Sequence, residues 1–237
     1  MESEHISYTN VLQQIFTNSE TNVNNNVIHG TGQIKTTNFH ILGTVENTMF
    51  GVDESLEMAK HVLSLISPDK TPLLLLVDVA GQKLSKRDEW LGMYAYFAHL
   101  LKCLHLARKN GHQIISLIYN QAIGGSFISF GMMADRIYAL PHAKLAVMWL
   151  EGMAKVTKID IETLKRISET SPVFAPGVEN FKKLGGLHEV LPLEAVAQQL
   201  LQVVQEKNLD LDNRALLGKQ FGGRKKAYDI ISLIENL

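Results

Sequence analysis

Two apolar runs without polar alternation, Leu73 to Val77 and Gln113 to Tyr119, predict an α/β fold with parallel strands. Each run breaks into a small-residue loop and then a helical pattern, and from Asp160 onward the periodicity turns helical. Strand, helix, strand, helix, strand and a helical tail is the order expected when crossover helices cover a parallel sheet. At 237 residues, 46% of them hydrophobic, the chain is long enough to bury one sizeable core.

Residues 1–26 read as an N-terminal extension: a short helix around Val11, Leu12, Ile15 and Phe16, then an Asn/Thr/Ser-rich surface linker ending at Asn24-Asn25-Asn26. The remaining 27–237 read as one domain. Val27 to Lys35 and Asn38 to Thr44 form a hairpin about Thr36-Thr37. Asp53 can cap a helix to about Ile66, with Leu56, Ala59, Val62, Leu63 and Ile66 at helical spacing and Ser67-Pro68 as its stop. After the strand from Leu73 to Val79, Ser85 to Asp88 has capping-box form and opens one long helix to Lys109. Trp90, Leu91, Tyr94, Phe97, Leu101, Leu104 and Ala107 keep its period, and Asn110-Gly111 ends it. The strand from Gln113 to Tyr119 leads through Gly124-Gly125 into a short helix to about Ala134. Arg136 to Leu140 and Lys144 to Met148 read as short strands. Helices are expected near 161–170, 193–206, 212–217 and 224–236, broken by Pro172, Pro176, Gly185-Gly186, Pro192 and Gly222-Gly223.

Charge and composition remove several classes of function. Lys+Arg of 23 against Asp+Glu of 24 gives no basis for nucleic-acid or polybasic membrane binding. The single cysteine, Cys103, excludes an internal disulfide and a cysteine-rich zinc site, and its apolar helical surroundings make it a buried small hydrophobe. The nine histidines show no HExxH or other ligand spacing, so no metal site is expected. The first twenty residues are polar and lack a signal pattern, and Leu73 to Val77 is too short to cross a bilayer. A cytoplasmic location is the expectation.

The chemistry lies in the two loops. Gly81, Gly124, Gly125 and Ser126 are the candidate catalytic residues, flanked by Ala80, Gln82, Ile123 and Phe127 as substrate-binding candidates. Glycine lets the backbone reach unusual torsions and come close to a ligand. At a helix start the unpaired N–H groups and the positive dipole end point the same way. The pattern points to stabilisation of an oxyanion by main-chain amides. Taken alone, Gly124-Gly125-Ser126 is equally a tight strand-to-helix turn; the same strand-to-loop logic at Asp78 to Gly81 favours function. Ser126 can position a carboxylate, but a small residue at the helix start is the preferred reading. Lys83, Lys86 and Arg87 form a basic loop able to meet a phosphate, although such clusters are more often solvated surface.

The motifs Val77-Asp78-Val79-Ala80-Gly81 and Gly124-Gly125-Ser126-Phe127, with Asp88-Glu89-Trp90-Leu91-Gly92 between them, resemble the carboxyltransferase branch of the crotonase superfamily. That resemblance implies a spiral of strand–strand–helix repeats with a helical C-terminal region. Chain size, the compact loop after Gly81, Asp135 to Leu140 and Leu184-Gly185-Gly186-Leu187 are similar to the gamma-subunit family of biotin-independent malonate decarboxylases. Trp149 to Met153 departs from that pattern, which leaves no basis for a side-chain role there. The resemblance implies a malonyl thioester on the phosphopantetheine-type arm of an acyl carrier (delta) subunit, with no biotin and no cofactor bound directly. Loss of CO2 leaves an enolate, whose charge collects on the thioester oxygen. It further implies a site shared with a beta subunit, in a complex with an acyl transferase (alpha) subunit. The uncharged segment Ile123 to Phe130 suits the departing carboxylate, since a tight cation partner would stabilise the ground state. Three rivals are a biotin-dependent acyl-CoA carboxyltransferase subunit, a serine hydrolase using Ser126, and a non-catalytic scaffold. The chain carries no Ala/Val-Met-Lys-Met attachment site and no Gly-x-Ser-x-Gly elbow.

Overall fold

The structure, a computed structural model, describes residues 5–66, 69–171, 175–206, 214–222 and 225–235. Its strands are β1 (Asn18–Asn24), β2 (Val27–Ile34), β3 (Thr37–Thr44), β4 (Thr48–Phe50), β5 (Leu73–Gln82), β6 (Ile114–Ile123), β7 (Arg136–Ala139), β8 (Lys144–Ala146) and β9 (Glu189–Val190). Its helices are α1 (Tyr8–Ile15), α2 (Val52–Leu65), α3 (Lys86–Trp90), α4 (Met93–Lys109), α5 (Gly124–Phe130), α6 (Leu150–Thr157), α7 (Ile161–Thr170), α8 (Val178–Lys183), α9 (Leu193–Gln205), α10 (Arg214–Gln220) and α11 (Lys225–Glu235). One sheet runs β1-β2-β3-β5-β6-β7-β9, with β4 added to β5 and β8 to β6. The β1–β2 and β2–β3 pairs are antiparallel, and the other pairs are parallel.

The two central strands each change neighbour partway along. β5 leaves β3 after Leu76 and takes up β4 from Val79; β6 leaves β7 after Ile118 and takes up β8 from Gln121. At this changeover the β5–β6 register slips from Val77↔Ile118 to Val79↔Ala122, so Asp78 alone spans three residues of β6. Such a bulge bends the strand and re-aims the residues beyond it.

Burial on both faces explains the missing alternation in β5. Leu73, Leu75, Val77 and Val79 share a core with Met58 and Val62 of α2 and Leu100 and Leu104 of α4. Leu74 and Leu76 share a second core with Val11, Leu12 and Ile15 of α1 and Val196, Leu200 and Val203 of α9. The expected hairpin, the helices at α7 and α9, and the stop at Asn110-Gly111 are present.

Three local expectations are corrected. The stretch read as a surface linker is edge strand β1, paired with β2 from Asn18↔Gln33 to Asn24↔Val27. Its side chains are almost all exposed, so no period-2 apolar signal marks it. Asn25 and Asn26, at φ 48 and 58°, make the tight turn that a two-residue hairpin needs. The helix expected from an Asp53 cap begins after Gly51, and its inward face carries Val52, Ser55, Met58, Ala59 and Val62 while Leu56 and Leu63 face outward. The single long helix to Lys109 is two, α3 and α4, because Gly92 sits at φ +72° between them. In consequence Trp90 (85% exposed) and Tyr94 (66%) lie on the surface, and Met93, Phe97, Leu100, Cys103, Leu104 and Ala107 form the buried face. The stops expected at Ser67-Pro68, Pro172 and Gly223, and the outer ends of the helices near 212–217 and 224–236, lie outside the described residues.

Candidate active site

Because β5 and β6 are adjacent and parallel, the loops at their C-terminal ends open at the same edge of the sheet. Gly81 adopts φ +139° and Gly124 φ +72°, both in the region that favours glycine. A Cβ on Gly124 would sit 2.8 Å from Gln82 Oε1 and 3.8 Å from Gly81 Cα, so the two loops lie side by side. A Cβ on Gly81 or on Gly125 would meet nothing within 4 Å. Gly124 is buried and Gly125 is exposed, which puts the Gly125 backbone at the lip of an open space.

The flanking residues differ in what they offer. Ala80 and Gln82 are half-buried, whereas Ile123 (8% exposed) and Phe127 (1%) are packed inward. Phe127 belongs to the main core and holds the start of α5 down. Ser126 is fully buried, and its hydroxyl donates to the Ile123 carbonyl at 3.2 Å, the bond of a residue closing a helix start. Two of the basic residues beside the loop, Lys83 and Arg87, are paired with acids. Lys83 Nζ lies 3.6 Å from Glu54, and Arg87 donates to both oxygens of Asp53 at 2.7 and 2.9 Å.

Asp88 ties the two helix starts together. Its Oδ1 accepts the Val52 N–H at 2.8 Å, and its other oxygen accepts the Ser85 hydroxyl. Gly51 is needed there because a Cβ on it would lie 2.6 Å from Asp88 Oδ1. Burial opposes ionisation of Asp88, but the Ser85 hydroxyl, the Val52 N–H and the Lys83 and Arg87 charges together hold its carboxyl below the usual range. Asp78 behaves in the opposite sense. Burial pushes its carboxyl upward, against hydrogen bonds from Asn47 and Asn120.

Two features were not read from the residues. Asn120, 4% exposed, lies in the register slip beside Asp78; a polar residue ending each apolar run was the available signal. His29, Glu57 and His61 come within 4.8 Å of one another although no motif joins them. The two imidazoles stack 3.7 Å apart at 18°, so in-plane lone pairs on one ring cannot meet those on the other at a single ion. Glu57 is already bonded to His61 at 3.0 Å and to Asn24 at 3.3 Å, which makes the group a packed hydrogen-bonded cluster. Beside α5 an apolar hollow of about 250 Å³ opens between Ile128, Met132, Met148, Met153 and Phe181. Met153, in the stretch with no assigned role, thus packs one helix away from the Gly124 loop.

A sheet whose central strands swap partners and end in two glycine loops at one edge has the crotonase-like fold, shared with the transcarboxylase 12S structure at a TM-score of 0.72 and 20% identity over 85% of this chain and 41% of that one. The family model for the malonate decarboxylase gamma subunit matches residues 45–237, and the chain belongs to that family. The malonyl-S-ACP:biotin-protein carboxyltransferase MADD of Malonomonas rubra is 32% identical over 208 residues, covering 79% of this chain and 71% of that protein. The fold matches a Pseudomonas malonate decarboxylase hetero-tetramer in complex with coenzyme A, with a TM-score of 0.80 at 22% identity over 98% of this chain and 99% of that one. The Pseudomonas MdcD-MdcE hetero-dimer gives 0.76 at 21% identity, over 95% and 96%. No described helix is long and apolar enough to cross a membrane.

Proposed function

We propose that this chain supplies main-chain amides from Gly81-Gln82 and Gly124-Gly125 to hold the thioester oxygen while a malonyl thioester loses CO2. The observation that carries this reading is the side-by-side placement of two positive-φ glycine loops, with unobstructed space at Gly81 and Gly125. Fixed N–H donors aimed at a developing enolate need no titrating side chain, and each is worth about 3–4 kcal/mol of barrier. The buried Ser126 hydroxyl, already bonded to Ile123, has its part in the loop's shape rather than as a nucleophile. Half-buried Ala80 and Gln82 shape the wall, with the Gln82 carboxamide standing over Gly124, while Ile123 and Phe127 anchor the loop from the core side. Lys83 and Arg87 meet a carrier-arm phosphate only by exchanging Glu54 and Asp53 for it, so their share in binding is small.

The thioester is carried on the phosphopantetheine-type arm of an acyl carrier subunit, without biotin, in a cytoplasmic complex with alpha and beta subunits. Exposed Leu84, Trp90 and Tyr94, flanking the start of α3 and α4, give the apolar surface that a beta subunit can cover to close the shared site. The carboxyltransferase-type domain takes in α1 and β1 together with the residues from 27 onward, because α1 packs in the second core and β1 pairs with β2. The decisive experiment is CO2 release from a malonyl thioester by the co-expressed complex, with and without avidin. Gly125→Val is expected to lower the rate at least 100-fold with assembly preserved. An unchanged rate in an intact complex would mean that the chain is a scaffold.

The name of the MADD relative favours one second reading, transfer of the carboxyl group to a biotin protein. Both routes pass through the same enolate, so the glycine loops serve either. Avidin separates them: inhibition of the complete system supports transfer to biotin, and full turnover supports direct decarboxylation.

A further inference from the structure

The register slip beneath the loops contains two buried polar side chains. Asp78 is fully buried and Asn120 is 4% exposed. Asp78 lies three residues before Gly81 on β5, and Asn120 lies four before Gly124 on β6. Between each polar residue and its glycine runs a short strand segment, and Val79 of one pairs with Ala122 of the other. β4 flanks the first segment and β8 the second. Short paired arms of this kind transmit a shift at their base to the loop at their tip.

The two side chains are joined to each other and to two other segments, at Asn47 and at His5-Ile6, while the Asp78 main chain meets Thr44. Asp78 Oδ2 accepts the Asn47 N–H at 2.8 Å and the Asn120 Nδ2 at 3.4 Å. The Asp78 N–H donates to Thr44 Oγ1 at 3.1 Å, and the Tyr119 hydroxyl donates to the Thr44 carbonyl at 3.2 Å. On its other side the Asn120 carboxamide copies a strand partner: its Oδ1 accepts the Ile6 N–H at 3.1 Å and its Nδ2 donates to the Ile6 carbonyl at 2.9 Å. Its Nδ2 also lies 3.2 Å from His5 Nε2. Ile6 precedes the stretch that the family model matches.

We infer that the Asp78–Asn120 pair, clamped by the backbone of Ile6, is the positioning element that fixes the Gly81 loop against the Gly124-Gly125 loop. The inference rests on the oxyanion reading above and adds the residues that set its geometry. Asp78 and Asn120 touch no reacting atom; they act through the arms above them. The N-terminal segment then supports the reaction from beneath rather than decorating the surface. Misplacing catalytic groups by about 1 Å can cost about 100-fold in rate, which sets the scale of the expected effect.

The test uses the complete complex, with Asn120→Ala, Asp78→Ala, the conservative Asp78→Asn, and a full complex lacking residues 1–6 of this chain. Asn120→Ala and Asp78→Ala are expected to lower kcat about 10–100-fold, with KM for the malonyl thioester within about 3-fold and assembly unchanged. Asp78→Asn keeps a carbonyl oxygen toward the Asn47 N–H and the Asn120 Nδ2 and should retain kcat within about 3-fold of the unsubstituted complex, a rescue that a loss of packing would not show. Removing residues 1–6 should lower kcat less, with faster hydrogen exchange at the amides of 81–83 and 124–126. Unchanged kcat in an assembled Asn120→Ala complex, or a rise in KM alone, overturns the inference. Should Asn120→Ala fail to assemble, the truncated complex decides, and unchanged kcat there overturns it equally. Gly125→Val separates the two levels: if it abolishes turnover while these variants do not, only the positioning role fails.

Discussion

The ends of β5 and β6 solve the same geometric problem with different chemistry. At the end of β5 the chain stays extended along β4 through Gln82, then enters a region tied by polar bonds: Lys83 to Glu54, Arg87 to Asp53, and Asp88 to the Val52 N–H. At the end of β6 the chain turns at Gly124 directly into α5, with no charged residue from Ile123 to Phe130, and Phe127 and Phe130 anchor the turn in the main core. One loop is therefore held by hydrogen bonds to ionised groups and the other by apolar packing. Salt and pH act on the first loop, and changes of side-chain volume act on the second.

The widest separation between the two junctions is expected from Gly124→Ala. A Cβ there meets Gln82 Oε1 at 2.8 Å and imposes the left-handed region on a non-glycine residue. We expect a loss of about 100-fold in CO2 release with a stability cost of about 1–2 kcal/mol, read by steady-state assay and urea titration. Asp88→Ala breaks the polar junction. It leaves the Val52 N–H and the Ser85 hydroxyl without their acceptor, and the unfolding free energy should fall by about 2–3 kcal/mol. Gly92→Ala tests the break between α3 and α4. Its Cβ has free space, so only the φ +72° penalty of about 1–2 kcal/mol applies, and the melting temperature should drop modestly.

The two aspartates give a smaller, signed effect. Asp78 binds its proton more tightly when folded, so its contribution to stability falls as pH rises from the ordinary 3.8 through the higher folded value. Asp88 binds its proton less tightly when folded, and its contribution is lost as pH falls below the ordinary value. Denaturant midpoints over a pH series should show Asp78→Asn gaining on the unsubstituted chain as pH rises, and Asp88→Asn gaining as pH falls. A parallel pair of curves would contradict both assignments. Least of all is expected from Arg87→Ala, because Arg87 and Asp53 are both exposed. The melting temperature should not move, and a rise in KM for the thioester would instead reveal Arg87 at a carrier phosphate.

Much of the frame was readable because it is local. Leu73 to Val77 lacks alternation because α2 and α4 cover one face and α1 and α9 the other, and that double burial is written in consecutive residues. The loop glycines were readable because a backbone at positive φ selects the residue type at that position. Edge strand β1 was not, since a strand exposed on nearly every side chain leaves no apolar period. Trp90 and Tyr94 keep the apolar period yet face outward, because that spacing continues across Gly92, where the chain breaks between α3 and α4. The pairing of Arg87 with Asp53 escaped detection for another reason: 34 residues separate them, and nothing in either neighbourhood names the other.

The residue order by itself determined which segments extend, which coil, and where glycine frees the backbone, since torsional preference and periodic burial act over a few neighbours. Tertiary structure alone decided that β5 and β6 exchange neighbours at Asp78 and Asn120, and that Ile6, 114 positions from Asn120, closes the network beneath the loops. Contacts across such separations are fixed by how the sheet and its covering helices pack. Only the packed chain carries that information.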